Sequence, residues 1–273
     1  MSSFSYPWAI GVPDFPAPNP PMDAFALLEE AIRLDVDTVQ YVDNLPLTSL
    51  SAADLDRLLG RAQEHGISLE IGMRGTRADG PEGMRTHLAL AQRVRSPFVR
   101  IMFDRYEDGD MPSSSEVIAR LGPLVGEFAE ADVKLALENF DRFPARELVR
   151  IVEELGGADR GVGVCMDTVN NLGALEGPGE VARILAPYTI NLHVKDVIIK
   201  RKPHRLGFEV EGRPAGQGMV DIPAILDQMP RDTSVTLELW TVPEPVLAAT
   251  LGKEAAWAAQ SITYLKSLIA VRP

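Results

Sequence analysis

Short apolar runs alternate with longer segments of helical periodicity from one end of the chain to the other. Residues 8–12, 38–42, 68–71, 98–103, 134–138, 162–166, 190–194 and 235–239 read as strands. Several are nearly continuous in apolar residues, as strands covered on both faces must be. The segments between them carry helix signals. In 22–34, Phe25, Leu28 and Ile32 recur at helical spacing, and Ser51 stands three residues before Asp54 at the head of a helix that Gly66 closes. Pro81 opens a third helix, the serines of 113–115 cap a fourth, and Pro144 with Gly156-Gly157 brackets a fifth. Shorter helices are expected at 178–185 and 222–229, and a long alanine-rich one at 245–269.

Strict alternation of eight strands with eight helices implies a parallel sheet. Over 273 residues each unit has about 34, the size of a βα repeat. No Pro/Ser-rich linker or composition shift divides the chain, so the expected fold is α/β, a single (β/α)8 TIM barrel over 1–273. A doubly wound open sheet would need a glycine-rich phosphate loop after its first strand, and that loop reads VPDFPAPNPP.

Composition narrows the partners. A formal net charge of −12 gives no global positive field for phosphate, which argues against nucleic acid or an anionic membrane as a partner. One cysteine excludes a disulfide framework or a Cys-rich metal module and fits a reducing compartment. The opening MSSFSYPWAIGV has neither a basic n-region nor a long apolar core, and no run approaches the ~18 apolar residues of a membrane helix. A cytoplasmic protein is the expectation, and the architecture is compatible with a homo-oligomer.

In such a barrel the active site lies at the C-terminal ends of the strands. The fifth predicted strand ends in LALENF and delivers Glu138. The sixth, GVCMDTVNN, delivers Asp167. The seventh, INLHVKD, delivers His193 with Lys195 and Asp196 behind it, and the eighth, VTLELW, delivers Glu238. A single Glu at a strand end is as readily a partner for an arginine or a helix N-terminus. Three carboxylates converging on one point would repel by several kcal/mol at an effective dielectric of about 20. A divalent cation removes that repulsion, and carboxylates with one imidazole suit Mn2+ or Mg2+, with Co2+ or Zn2+ also compatible. Lys195 is either a proton carrier or an ion-pair partner of Asp196, Glu138 or Glu238.

Other strand ends supply a pocket: Asp14 and Phe15, then Gln40, Asp43 and Asn44, then Glu70 and Arg74, then Asp104 and Arg105. Arg74, beside glycines that open space, is the candidate contact for a substrate anion or hydroxyl, or else a salt-bridge partner of Glu70 or Asp43. The basic stretch 197–220, with KRKPHR, Arg205 and Arg213, is either a solvated loop or a lid that attracts an anionic substrate. Trp240 can wall the site. Cys165 reads as a core thiol, and His65, His87 and His204 as residues outside any ligand set.

LALENF, CMDTVNN, NLHVKD, AGQGMVD and TLELW, with the closing KEAAWAAQSITYLKSL, resemble the xylose isomerase-like barrels, the sugar phosphate isomerase/epimerase superfamily, over the whole chain. The resemblance implies one divalent metal held by Glu138, Asp167, His193 and Glu238. It implies that Glu138 and Glu238 are also the acid/base pair, one on each face of the substrate, and that the substrate is a small sugar or sugar acid. The sequence departs from the ketose epimerases of the family. Asn170 stands where they carry a second His, which makes Asn170 a substrate contact of a different kind, and their Arg after the strand-seven His lies in another context. Arg205, in the basic stretch, is a separate candidate substrate contact.

A metal-stabilised enediolate is the common intermediate of the chemistries that remain. An isomerase or epimerase is the first expectation. A lyase of the same barrel, decarboxylating a 3-oxo sugar acid or eliminating an alkoxide, is the second. QYVDNLPL and LEIGMRG are similar to barrels linked to decarboxylation of oxidised branched-sugar acids. A non-catalytic sugar-binding barrel is the third. A DNA-repair endonuclease would need more strand-end histidines and a basic face, which the sequence lacks.

Overall fold

The computed structural model describes residues 1–75, 80–103 and 111–271. Seven parallel strands form one sheet in sequential order: β1 (Thr38–Tyr41), β2 (Ser68–Arg74), β3 (Phe98–Met102), β4 (Lys134–Glu138), β5 (Val162–Asp167), β6 (Thr189–Val194) and, after a hairpin of β7 (Asp196–Arg201) and β8 (Phe208–Arg213), β9 (Ser234–Leu237). Between and around them lie α1 (Pro7–Ile10), α2 (Ala24–Arg33), α3 (Ala52–Glu64), α4 (Gly80–Val94), α5 (Ser114–Glu130), α6 (Ala145–Glu154), α7 (Pro178–Leu185), α8 (Ile222–Leu226) and α9 (Leu247–Ile269). This is a nearly closed α/β TIM barrel. Its core is the apolar layer between strands and helices, with Val39, Ile71, Ile101, Leu135, Val164 and Leu192 against residues such as Leu28, Leu58, Leu121 and Ile151.

The start signals act as the sequence implies. Ser51 Oγ accepts from Asp54 N (3.1 Å), and Ser113 forms a reciprocal capping box with Glu116. Gly156 takes the left-handed conformation just past α6 (φ 103°), where a side chain would be strained.

Two expectations need correction. Residues 8–12 are not the first strand. Pro7 sits at the first position of the short helix α1, and Gly11 (φ 125°) ends it. The open position between β1 and β9 is filled instead by the segment before it: Ser2 bridges Gln40 in parallel, Gln40 N donates to Met1 O (2.9 Å), and Ser2 N donates to Leu237 O (3.1 Å). Leu239 N donates to Phe4 O (3.0 Å) and extends the same contact.

The second correction concerns 197–220. It is not a loop but an antiparallel hairpin whose return is pinned by Asp196. That buried carboxylate accepts from Val197 N, Gly216 N, Gly218 N and Val220 N at 2.8–3.1 Å. Among the described residues no helix is long and apolar enough to cross a membrane.

Candidate active site

The strand ends converge as the register requires. Arg74 lies opposite Met102, Met102 opposite Glu138, and Asp167 opposite His193. Glu238 follows β9 directly, with its N–H on Val194 O (3.1 Å). One donor atom from each of Glu138, Asp167, His193 and Glu238 lies within 4.8 Å of the others, and all four residues are buried. Donors around one cation at about 2.0–2.2 Å are separated by at most about 4.4 Å, close to this spread.

The chemistry of the set fits a metal ion. His193 Nδ1 is buried without a hydrogen-bond partner, 3.2 Å from Glu238 Oε1 and 3.6 Å from Glu138 Oε1. Its other nitrogen, Nε2, is engaged by Gln40 Oε1 at 2.7 Å. A histidine held from behind with its free nitrogen aimed at carboxylates is the usual arrangement of a metal ligand.

Charge repulsion alone is a weaker argument than the sequence implied, because two protein cations already lie among the carboxylates. Lys195 Nζ donates to Asp167 Oδ2 (2.6 Å) and pairs with Glu238 Oε2 (2.8 Å). Arg100 Nε donates to Glu138 Oε2, and Arg100 Nη1 donates to Asp43 Oδ1 (2.8 Å). Arg100 was not among the expected site residues. Its signal was a lone charge inside the apolar run FVRIM.

Each acidic group is further tied by short-range bonds. Asn170 Nδ2 donates to Glu138 Oε1 (2.9 Å), and Lys195 Nζ reaches Asn170 Oδ1 (3.4 Å), so Asn170 bridges the two. Asp167 Oδ1 accepts from Val169 N and Asn170 N (2.8 and 2.9 Å). Ser2 Oγ donates to Glu238 Oε1 (2.9 Å), which joins the segment that completes the barrel to the site itself. Asn139 fixes the end of β5 from the side: Asp167 N donates to Asn139 Oδ1 (2.6 Å), and Asn139 Nδ2 donates to Asp167 O (2.9 Å).

These contacts set protonation. Burial pushes the Glu138 carboxyl up, but the adjacent Arg100 charge, with His193 and Lys195, holds it well below the ordinary range. Burial also raises Glu238, and His193 and Lys195 outweigh it, so Glu238 too lies low. For Lys195 burial disfavours the ammonium, yet Asp167 and Glu238 hold it above the ordinary lysine value. Burial wins at Asp167, whose carboxyl lies high despite Lys195. At His193 burial disfavours the imidazolium, and the facing Glu238 and Glu138 more than compensate.

The other expected residues are less central. Arg74 ends β2 with an exposed side chain. Asp43 accepts from Arg100, and Glu70 accepts from Gln40 and Ser234. Arg205 is exposed in the turn of the β7–β8 hairpin, six paired residues and so about 20 Å from the hairpin base, and the structure does not bring it to the cluster. Asp104 and Arg105 lie outside the described residues. Trp240 does border the site, its ring 5.6 Å from Lys195 Nζ. Cys165 is buried, His65 caps the end of α3, His87 lies on α4 and His204 in the hairpin turn.

Comparison with known proteins places this geometry. The chain is 30% identical to a 3-oxo-isoapionate decarboxylase of Pectobacterium atrosepticum over 251 residues, 91% of this chain and 88% of that one. Solved structures share the fold at lower identity. A D-psicose 3-epimerase from Clostridium cellulolyticum, solved with D-tagatose, superposes with a TM-score of 0.65 at 16% identity, covering 91% of this chain and 94% of that one. A protein from Mycobacterium smegmatis, solved in complex with magnesium, superposes with a TM-score of 0.67 at 16% identity, covering 98% and 96%. The family model described as xylose isomerase-like TIM barrel matches residues 28–268. With the sequential parallel barrel and the strand-end cluster, that match makes the chain a member of the xylose isomerase-like TIM barrel family.

Proposed function

We propose that this protein is a divalent-metal-dependent lyase that decarboxylates a small 3-oxo sugar acid. The observation that carries the choice of reaction is the clamp on Glu138. Both of its oxygens are engaged, Oε2 by Arg100 and Oε1 by Asn170. Such a carboxylate is a weak base. An epimerase needs two effective bases on opposite faces of a carbon, whereas loss of CO2 from a 3-oxo acid needs no base, only a sink for electrons and a proton donor. The 30% identity to a protein named as a 3-oxo-isoapionate decarboxylase supports the same reaction class.

Glu138, Asp167, His193 and Glu238 would hold the cation, with Mn2+ or Mg2+ the ions best matched to a carboxylate-rich set. When bound it would polarise the adjacent hydroxyl and carbonyl oxygens of the substrate and stabilise negative charge developing on them. Lys195 is the proton donor in this reading. Its ammonium is kept charged by Asp167 and Glu238, and it borders the site beside Trp240. As the bond to the carboxylate breaks, its electron pair forms an enediolate. Lys195 gives a proton to the carbon that lost CO2 and is recharged from solvent. Arg74, level with Glu138 across β3 at the exposed end of β2, is the proposed contact for the acid group.

The test is NMR in D2O with 3-oxo-isoapionate and Mn2+. Release of CO2 with one deuteron placed on the product carbon is the expected result. Deuterium exchange of ketoses with an unchanged carbon count would instead make the protein an isomerase or epimerase, and loss of neither kind would leave a binding barrel.

A further inference from the structure

Beneath the cluster runs a chain of side-chain amides whose direction is set by a group that cannot turn. On β9 the Ser234 carbonyl, a backbone oxygen that only accepts, takes a hydrogen bond from Asn191 Nδ2 (3.2 Å). Asn191 Oδ1 therefore faces the opposite way, where it accepts from Gln40 Nε2 (3.1 Å) and from Cys165 Sγ (3.1 Å). Gln40 must present its NH2 group there, and the same group reaches Glu70 Oε2 (3.1 Å). What remains of Gln40 is its oxygen, and it lies 2.7 Å from His193 Nε2. An acceptor at that distance requires the proton to be on Nε2. Gln40, Asn191 and His193 have no exposed surface, so solvent offers none of them another partner.

We propose that Gln40 is a positioning residue that holds the neutral His193 ring in its Nε2–H tautomer, the direction being set by Asn191 and the Ser234 carbonyl, so that the Nδ1 lone pair faces the carboxylates as a ligand for a divalent cation. The local surroundings of Nδ1 favour the opposite tautomer, because two carboxylate oxygens at 3.2 and 3.6 Å would draw a proton onto it. A ring with Nδ1–H would have no lone pair to offer a metal. The amide chain resolves that competition from the far side of the ring.

The ligand role rests on the metal site proposed above; the tautomer does not, and the test separates them. The ring nitrogens are read by 15N NMR on metal-free, 15N-histidine-labelled protein at about pH 9, where an ordinary imidazole is neutral. His193→Asn identifies its signals among the four histidines. The expected result is His193 protonated on Nε2 in the wild type. Thr236→Val removes the other hydrogen bond of Asn191 Nδ2 but spares the carbonyl, and it should keep that tautomer. Gln40→Met should move the proton toward Nδ1 and weaken Mn2+ binding, measured by calorimetry, by about 10–100-fold, while Thr236→Val changes it by less than about threefold.

A wild-type ring protonated on Nδ1, or still doubly protonated at that pH, would overturn the proposal even if Gln40→Met does not fold. So would a folded Gln40→Met with an unchanged tautomer. A wild type that shows the Nε2–H tautomer but binds no Mn2+ would remove the ligand role and the proposed function together, and leave the tautomer standing.

Discussion

Arg100 Nε donates to Glu138 Oε2 between two side chains with almost no exposed surface, one from the middle of β3 and one from the end of β4. The same guanidinium reaches Asp43 past the end of β1, so one cation neutralises acids from both sides. Gly72 makes room for it: a Cβ there would lie 2.9 Å from Arg100 Cδ. Arg100→Met would strand buried carboxylates, and the expected loss is about 3–5 kcal/mol by urea unfolding. Arg100→Met/Glu138→Gln should regain more than about 1 kcal/mol of it, because one uncompensated charge is gone. Equal destabilisation of the two variants would show that the pair is not the source of the loss.

Metal removal should be reversible. Treatment with a chelator is expected to abolish turnover, and Mn2+ or Mg2+ to restore it. Mn2+ should raise the melting temperature of the wild type, since a ligand that binds only the folded state stabilises it. The same addition should leave His193→Asn and Asp167→Asn unmoved. A wild-type melting temperature indifferent to every divalent ion would remove the cation from the mechanism.

Lys195 separates proton donation from metal binding. Lys195→Met is expected to lower the rate of CO2 release by about 10²–10⁴-fold. Mn2+ affinity should hold or rise, because a cation that now pairs with Asp167 and Glu238 is removed. A variant within tenfold of the wild-type rate would exclude Lys195 as the donor.

Glu254, on α9, has no exposed surface and accepts from Trp8 N (2.9 Å) and Ala9 N (3.0 Å), holding α1 in place. Burial pushes its carboxyl up to about 7 from 4.5, against the pull of those two donors. The folded state therefore binds the extra proton between these values. Its contribution to stability is fully present below about pH 4.5 and is lost as pH rises through about 7. The total is about 3 kcal/mol at about 1.4 kcal/mol per pH unit. Glu254→Gln should flatten that part of the stability–pH curve, followed by urea midpoints at closely spaced pH. An unchanged slope would assign the pH dependence elsewhere.

The hairpin base is a close approach of two backbones. A Cβ on Gly212 would lie 1.9 Å from Trp240 O, so Gly212→Ala should cost at least about 1–3 kcal/mol and disturb the Trp240 wall, visible in its fluorescence. Gly60, inside α3 with nothing within 4 Å, is the contrast: Gly60→Ala should stabilise by about 0.4–1 kcal/mol. If both substitutions behaved alike, steric contact would not be the cause.

The alternation of apolar runs and helical segments determined most of this molecule. Seven of the eight expected strands exist within a few residues, because a strand covered on both faces must be apolar throughout whatever its neighbours are. The four strand-end groups were legible for the same reason: a charge or imidazole stands out at the end of such a run. The first strand was not legible. Met1 and Ser2 hold its place through backbone bonds to Gln40 and Leu237, and a one-residue bridge has no periodicity to read. The apolar segment 8–12 offered a better-looking pattern, but Pro7 and the Glu254 cap make it helix.

What only the tertiary structure decided is how the site groups are held. Arg100 is one charge in FVRIM until β1 and β4 bring Asp43 and Glu138 to it. Gln40 is one polar residue in TVQY until β2, β6 and β9 orient its amide. Residue type and spacing along a strand determine which groups reach the barrel mouth. Their hydrogen-bond direction, protonation and pairing depend on neighbours distant in sequence, and those meet only when the barrel closes.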